Sequence, residues 1–167
     1  MIKDWSNFNE KLYPGDVYDI LENNLSTIRD VFTDFEDMNI VAYQISVVNG
    51  EDRGNHPNQK MGMEFEIGYT FRPNDDLDKF LHFCCHLIRG GDKACINVDL
   101  KFPGEKDKYK LHNSGDIQLD SDGIKLLDDI LTANSRLTEQ GYDVKLNLNS
   151  NHHEYKPMRF KIYFKVI

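Results

Sequence analysis

Cysteine is scarce in this chain: Cys84, Cys85 and Cys95 are the three it has. An odd number without framework spacing excludes a disulfide-stapled fold and points to reduced thiols in a cytoplasmic setting. Long apolar runs are missing too. None approaches the roughly 18 residues a membrane span requires, and the opening MIKDWSNFNEKLYPGD holds no signal-peptide core. The expectation is a cytoplasmic protein that does not contact a membrane. Positive charge is in deficit, with 20 Lys+Arg against 28 Asp+Glu and a formal net charge of −8. That balance argues against nucleic-acid binding over the whole surface, yet it is too small for a DNA mimic working by bulk negative charge. Assembled catalytic, cofactor and metal motifs are also lacking, so no cofactor is expected.

What is present is the patterning of one globular domain. The 167 residues suffice to bury a core without staples. Asp16 is placed to cap a helix carrying Val17, Ile20 and Leu21; Ser26 has the type of a second cap, with Ile28, Val31, Phe32, Phe35 and Met38 following at helical spacing, and the pattern fits either one helix or two. Residues 40–49 (IVAYQISVVN) and 63–72 (MEFEIGYTFR) alternate as strands around a polar, turn-rich loop. Asn74 or Asp75 is expected to cap a helix with Leu77, Phe80, Leu81, Cys84, Leu87 and Ile88 on one stripe. Gly90-Gly91 ends it. Ala94, Ile96, Val98, Leu100 and Phe102 form another period-two strand, and residues 109–119 leave room for one short strand. A helix from Ser121 or Asp122 to Gln140 is expected to face the core with Ile124, Leu127, Leu131 and Leu137, widened by Leu126, Ile130 and Ala133. Strands over 142–148 and 155–167 close the chain.

The order is α-β-β, α-β-(β), α-β-β, in units of about 45–50 residues, a length at which repeats are sought. Helix ends run directly into strands in the first and third units (EDMNIVAYQIS, EQGYDVKLNLN). Recurrence of helix-then-hairpin accounts for this more simply than duplication. Short connections between strands favour a mainly antiparallel sheet with helices on one face, an α+β fold.

Several residue groups have the right types for chemistry. His82 and His86, spaced i, i+4 in HFCCHL, could reach one metal, with Cys85 adjacent and Cys95 on the following strand. The pattern is not HExxH, and core packing explains Cys84, so no metal site is assigned. His56, His152 and His153 sit in hairpin loops and could support acid–base or phosphodiester chemistry if the loops met. No nucleophile signature accompanies them. Asp120-Ser121-Asp122-Gly123 lacks the later ligands of a calcium loop and reads as a helix cap. Gly90-Gly91 ends a helix rather than opening one, so it offers no phosphate cradle. Asp75-Asp76 and Asp128-Asp129 are adjacent in sequence and do not share a helix face.

The closing strand is the most distinctive stretch. In YKPMRFKIYFKVI, Met158, Phe160, Ile162, Phe164 and Val166 alternate with Arg159, Lys161, Tyr163 and Lys165. Residues 142–167 hold five Lys/Arg and two Asp/Glu, against fifteen and twenty-six in the preceding 141. Lys145, Arg159, Lys161, Tyr163 and Lys165 could share an open sheet face with Lys101, Lys93 and Arg72. Cations interleaved with an aromatic suit nucleic-acid phosphates and bases, or an acidic protein surface. The competing structural role is that lysines on an edge strand prevent edge-to-edge aggregation.

In length and in its richness in Asn, Asp, Lys, Phe and Tyr, the chain resembles the small early host-takeover proteins of T-even-like phages. No family motif carries over residue by residue. The resemblance implies a regulator of transcription that contacts host RNA polymerase and DNA in the host cytoplasm. Read from the residues alone, the expectation is a non-enzymatic binding protein with a protein partner, and with nucleic acid reached through the C-terminal basic strand. The alternatives are a small hydrolase or nuclease using the loop histidines, and a structural subunit of a larger assembly.

Overall fold

A computed structural model describes residues 14–48, 64–88, 93–100, 121–147 and 158–166. The helices are α1 (Pro14–Val31), α2 (Thr33–Asp37), α3 (Leu77–Leu87) and α4 (Ser121–Glu139). The strands are β1 (Val41–Val48), β2 (Glu64–Phe71), β3 (Lys93–Leu100), β4 (Asp143–Asn147) and β5 (Met158–Lys165). All five strands join one sheet in the order β2-β1-β3-β5-β4, and every pairing is antiparallel. The fold is α+β: a five-stranded antiparallel sheet with helices packed against it. The short strand expected within 109–119 and the Gly90-Gly91 helix end lie outside the described residues.

Period-two patterning decides which side of the sheet meets the helices. Tyr43, Ile45 and Val47 of β1 stand in register with Val98, Ile96 and Ala94 of β3, which face Phe160, Ile162 and Phe164 of β5. This row joins the buried faces of α1, α3 and α4 in one core. On α1, Val17, Leu21, Leu25 and Ile28 recur at helical spacing and are buried. Phe32 packs edge-on to Phe160, and Phe71 stacks on Phe80 at 4.8 Å. Tyr69 reaches α3 next to Phe80 and Phe83, from a stretch of β2 where the register against β1 shifts. Three phenols pin α1 and α2 to their neighbours. Tyr18 donates to Asp78 on α3 (2.7 Å), Tyr142 donates to Asn24 on α1 (2.8 Å), and Tyr43 donates to Glu36 on α2 (2.5 Å).

Three sequence expectations are corrected. Ser26 caps nothing: α1 runs through it unbroken to Val31, and the break falls at Phe32, whose φ of −103° and ψ of 13° leave the helical region. A continuous buried stripe across Leu25 and Ile28 outweighs the local capping preference of one serine. Helix α3 is capped by Asp76 rather than by Asn74 or Asp75; its carboxylate accepts from the Lys79 amide. Asp75 instead accepts from the Arg72 amide and closes the turn after β2. On α4 the expected stripe is kept only in Leu137 and in the residues that widen it. Leu126, Ile130, Ala133 and Leu137 pack inward, while Ile124 (59% exposed), Leu127 and Leu131 (51%) face outward.

The recurring helix-to-strand junctions have a common physical basis. Asn39 (φ 55°) and Gly141 (φ 90°) are left-handed residues directly after α2 and α4. In both, the left-handed residue's amide bonds back three residues (Asn39 to Glu36, Gly141 to Thr138). The next amide bonds back five (Ile40 to Phe35, Tyr142 to Leu137). This is the Schellman arrangement. The symmetry stops there. β1 lies inside the sheet and β4 is an edge, so the two helix–hairpin units occupy unlike positions.

A Cβ at Gly141 would meet nothing within 4 Å, so only backbone strain opposes a side chain there. Gly141→Ala and Asn39→Ala are each expected to lower stability by about 1 kcal/mol, and Asn39→Gly not to lower it. Urea unfolding of the three variants measures this.

Candidate interaction face

The side of the sheet away from the helices carries the outward residues in rows across the strands. One row runs Asn147–Arg159–Asp99–Ala42 and the next Lys145–Lys161–Asn97–Gln44–Thr70. A third runs Asp143–Tyr163–Cys95–Ser46, and Lys165 faces Lys93 beyond it. The centre of this face is not open. Seven consecutive residues of β3, from Ala94 to Leu100, are buried, so Cys95, Asn97 and Asp99 are enclosed although they point away from the helices. Ser46 is fully buried beside them.

Burying these polar groups requires that they satisfy one another. Asn97 donates to Ser46 Oγ at 2.6 Å, and the Cys95 thiol lies 3.6 Å from Asn97 Oδ1. Gln44 donates to Thr70 Oγ1 at 2.8 Å and accepts from Arg159 at 3.2 Å. Arg159 grips Asp99 with both arms of its guanidinium, Nε to Oδ1 at 2.6 Å and Nη2 to Oδ2 at 2.9 Å. Their side chains are 20% and 6% exposed. Among the described residues, no buried side-chain nitrogen or oxygen lacks a partner.

The structure therefore divides the basic set predicted from sequence. Arg159 belongs to the buried seam, where its charge is matched by Asp99. Lys145, Lys165 and Lys93 are exposed, and Lys161 and Tyr163 are half-buried. Lys145 Nζ stands 5.1 Å from the centre of the Tyr163 ring, a cation–π contact between β4 and β5. Lys101 lies outside the described residues. Strand β5 has a neighbour on each side, so its lysines do not guard a sheet edge in the folded protein. Moreover, Lys145 sits opposite Lys161 and Lys93 opposite Lys165. Like charges directly opposite on one face destabilise a sheet.

The other predicted groups are placed as follows. His82 and His86 are exposed on α3, with their Nε2 atoms 3.1 Å apart. Cys85 packs against the core, where burial pushes its thiol up; Cys84 is fully buried and pushed up further by the same cause. Cys95 is on the far side of the sheet from α3. Among the described residues, no three His, Cys, Asp or Glu side chains gather as a metal-binding group. His56, His152, His153 and Asp120 lie outside the described residues. No described helix is long and apolar enough to cross a membrane.

A cleft of about 420 Å³ opens between α1, α2 and α3, with Leu25, Leu77 and Leu81 lining its apolar part. Its wall holds a hydrogen-bonded group that sequence patterning missed. Arg29 binds Glu36 through Nε (2.8 Å) and Nη2 (3.0 Å), and the guanidinium lies 5.7 Å from the centre of the Phe71 ring. Glu36 also accepts from Tyr43. Burial pushes the Glu36 carboxyl up, but the hydrogen bonds from Arg29 and Tyr43 outweigh it and hold it below the usual 4.5. Burial and the bond to Glu36 together push the Tyr43 phenol far above its ordinary range. The cation in this cleft is matched internally, and the rim adds Glu22 and Asp30. The cleft therefore does not favour anions.

Comparison with protein-family models, with curated proteins and with solved structures finds no match to this chain.

Two stability predictions follow from these geometries. Arg159→Met leaves Asp99 charged and enclosed, and is expected to cost about 3–5 kcal/mol. Adding Asp99→Leu should restore most of that loss, as read by a double-mutant cycle in urea. The Glu36 carboxyl is held lower in the folded state than in the unfolded chain. Its contribution is thus present above about pH 4.5 and lost as pH falls through the lowered folded value. Glu36→Gln should cost roughly 1–3 kcal/mol at neutral pH. The gap between variant and parent should close in acid, when stability is followed by chemical denaturation across pH.

Proposed function

We propose that this chain is a non-enzymatic binding protein that docks the β4–β5 margin of the sheet face away from the described helices onto a polyanionic macromolecular partner. One observation carries the reading: the exposed Lys93 and Lys165 stand directly opposite each other across β3 and β5 on that face, and Lys145 is exposed on the same face of β4. Such pairing lowers the stability of the isolated sheet, and neither Lys93 nor Lys165 lies on an edge strand that a lysine would protect. An anion spanning the pair relieves the repulsion, so binding gains what folding loses. Tyr163, with Lys145 over its ring, sets an aromatic among the cations of this margin.

Phosphate-bearing nucleic acid and a carboxylate-rich protein surface both meet these requirements. The resemblance to early T-even-like phage proteins narrows the choice to transcription. The chain is similar in length to Alc, the phage terminator of host transcription on unmodified DNA. On this reading the partners are host RNA polymerase and its template.

Lys145→Glu, Lys161→Glu and Lys165→Glu combined provide the test, with Arg159 left intact because it holds Asp99. The triple variant should fold and should lose both recovery of polymerase from host lysate and retention of duplex DNA. If four lysines each neutralise one phosphate, log K against log salt should fall with a slope of about −3.6 for the parent chain. Unchanged recovery and an unchanged slope in the triple variant would sink the proposal.

A further inference from the structure

The exposed face of α3 carries a second arrangement, independent of the basic margin. His82 and His86 are one turn apart on the outer surface of the helix, and their Nε2 atoms converge to 3.1 Å. Two neutral imidazoles can meet so closely only if one donates and the other accepts, or if a single cation replaces the proton between them. The ring planes are nearly perpendicular, at 86°, and the ring centres are 4.6 Å apart. That is closer than a head-on N–H···N contact would place them. The two rings are therefore inclined to each other rather than aligned head-on, an arrangement that a shared ion also requires.

We propose that His82 and His86 form a two-point surface site for a late first-row divalent cation, of the class Cu²⁺, Ni²⁺ or Zn²⁺. With metal–nitrogen bonds of 2.0–2.1 Å, nitrogens 3.1 Å apart subtend roughly 95–102° at the metal. That angle lies between the cis positions of an octahedron and the corners of a tetrahedron, so the two nitrogens already stand at a chelating separation. Imidazole selects this group of metals, whereas Mg²⁺ and Ca²⁺ prefer oxygen donors. Cys85 is no third ligand, because its side chain packs against the core. Asp78, one turn before His82, accepts the Tyr18 hydroxyl. The remaining coordination positions face solvent and are filled by water or by a donor on a second macromolecule.

Calorimetric titration of the full chain with Ni²⁺ alone, in a non-coordinating buffer, tests the site. One equivalent is expected, tighter with Cu²⁺ and undisturbed by Mg²⁺. His82→Gln and His86→Gln should each weaken binding by about tenfold or more, since either leaves only one anchor of a two-point chelate. The double variant His152→Gln/His153→Gln should bind as the parent does. Both α3 histidines are exposed, and thermal melts of the variants check that the fold persists. A second readout uses the parent chain itself: Zn²⁺ should shift the ¹⁵N imidazole resonances of His82 and His86 together. Unweakened binding in the α3 variants overturns the proposal, as does loss that follows His152 and His153, or a shift confined to other histidines.

Discussion

The enclosure of β3 on both faces is the constraint from which the rest of the sheet follows. A strand with one face in the core and the other in water could carry Asp99 and Asn97 at no cost. Here both are buried, so each needs a partner on a neighbouring strand. Asp99 needs a full positive charge, and Arg159 supplies it from β5 in direct register. Asn97 is matched by Ser46 of β1. A one-residue slip of either neighbour would send its outward row to the core side; a slip of β5 would leave the Asp99 charge unpaired, and a slip of β1 would leave Asn97 without Ser46. The polar seam thus fixes register, while the apolar row on the other side supplies most of the driving force.

The helical layer rests on a comparable division of labour. Aliphatic and aromatic packing gives α1, α3 and α4 their common core, but that packing is not directional. Direction comes from a few polar ties around α1: Tyr18 to Asp78, Tyr142 to Asn24, and Arg29 to Glu36 at the bend into α2. The Arg29–Glu36–Tyr43 group is the tightest of these, because one carboxylate accepts from a guanidinium and a phenol together.

Much of this architecture is legible in the residues, and the rest is hidden for identifiable reasons. Alternation in β1, β3 and β5 is strong because every second residue is large and apolar, and the structure keeps those assignments. Helix α4 defeats the same logic. Ile124, Leu127 and Leu131 and the set Leu126, Ile130, Ala133 and Leu137 both recur at helical spacing, and only the docked sheet distinguishes them. The outward row of β3 misleads in another way, since Asn97 and Asp99 normally mark a solvated face. Cys95 in the same row was the available sign of burial, as cysteine is among the most enclosed residue types. Arg159 groups with the lysines in sequence because its pairing with Asp99, 60 residues away, has no local signature. The i, i+4 spacing of His82 and His86 was visible, but their mutual orientation was not.

The strand order β2-β1-β3-β5-β4 also bears on how the chain is made. During synthesis the β1–β2 hairpin emerges first, and its inner side is the edge that β3 later joins. β3 then presents a fresh edge, and the β4–β5 hairpin, made last, adds to it through β5. Each new piece finds its template already out of the ribosome, and no strand has to be threaded between two that are already paired. The sheet can be laid down in the order in which it is translated, even though its central pairings join residues far apart in the sequence.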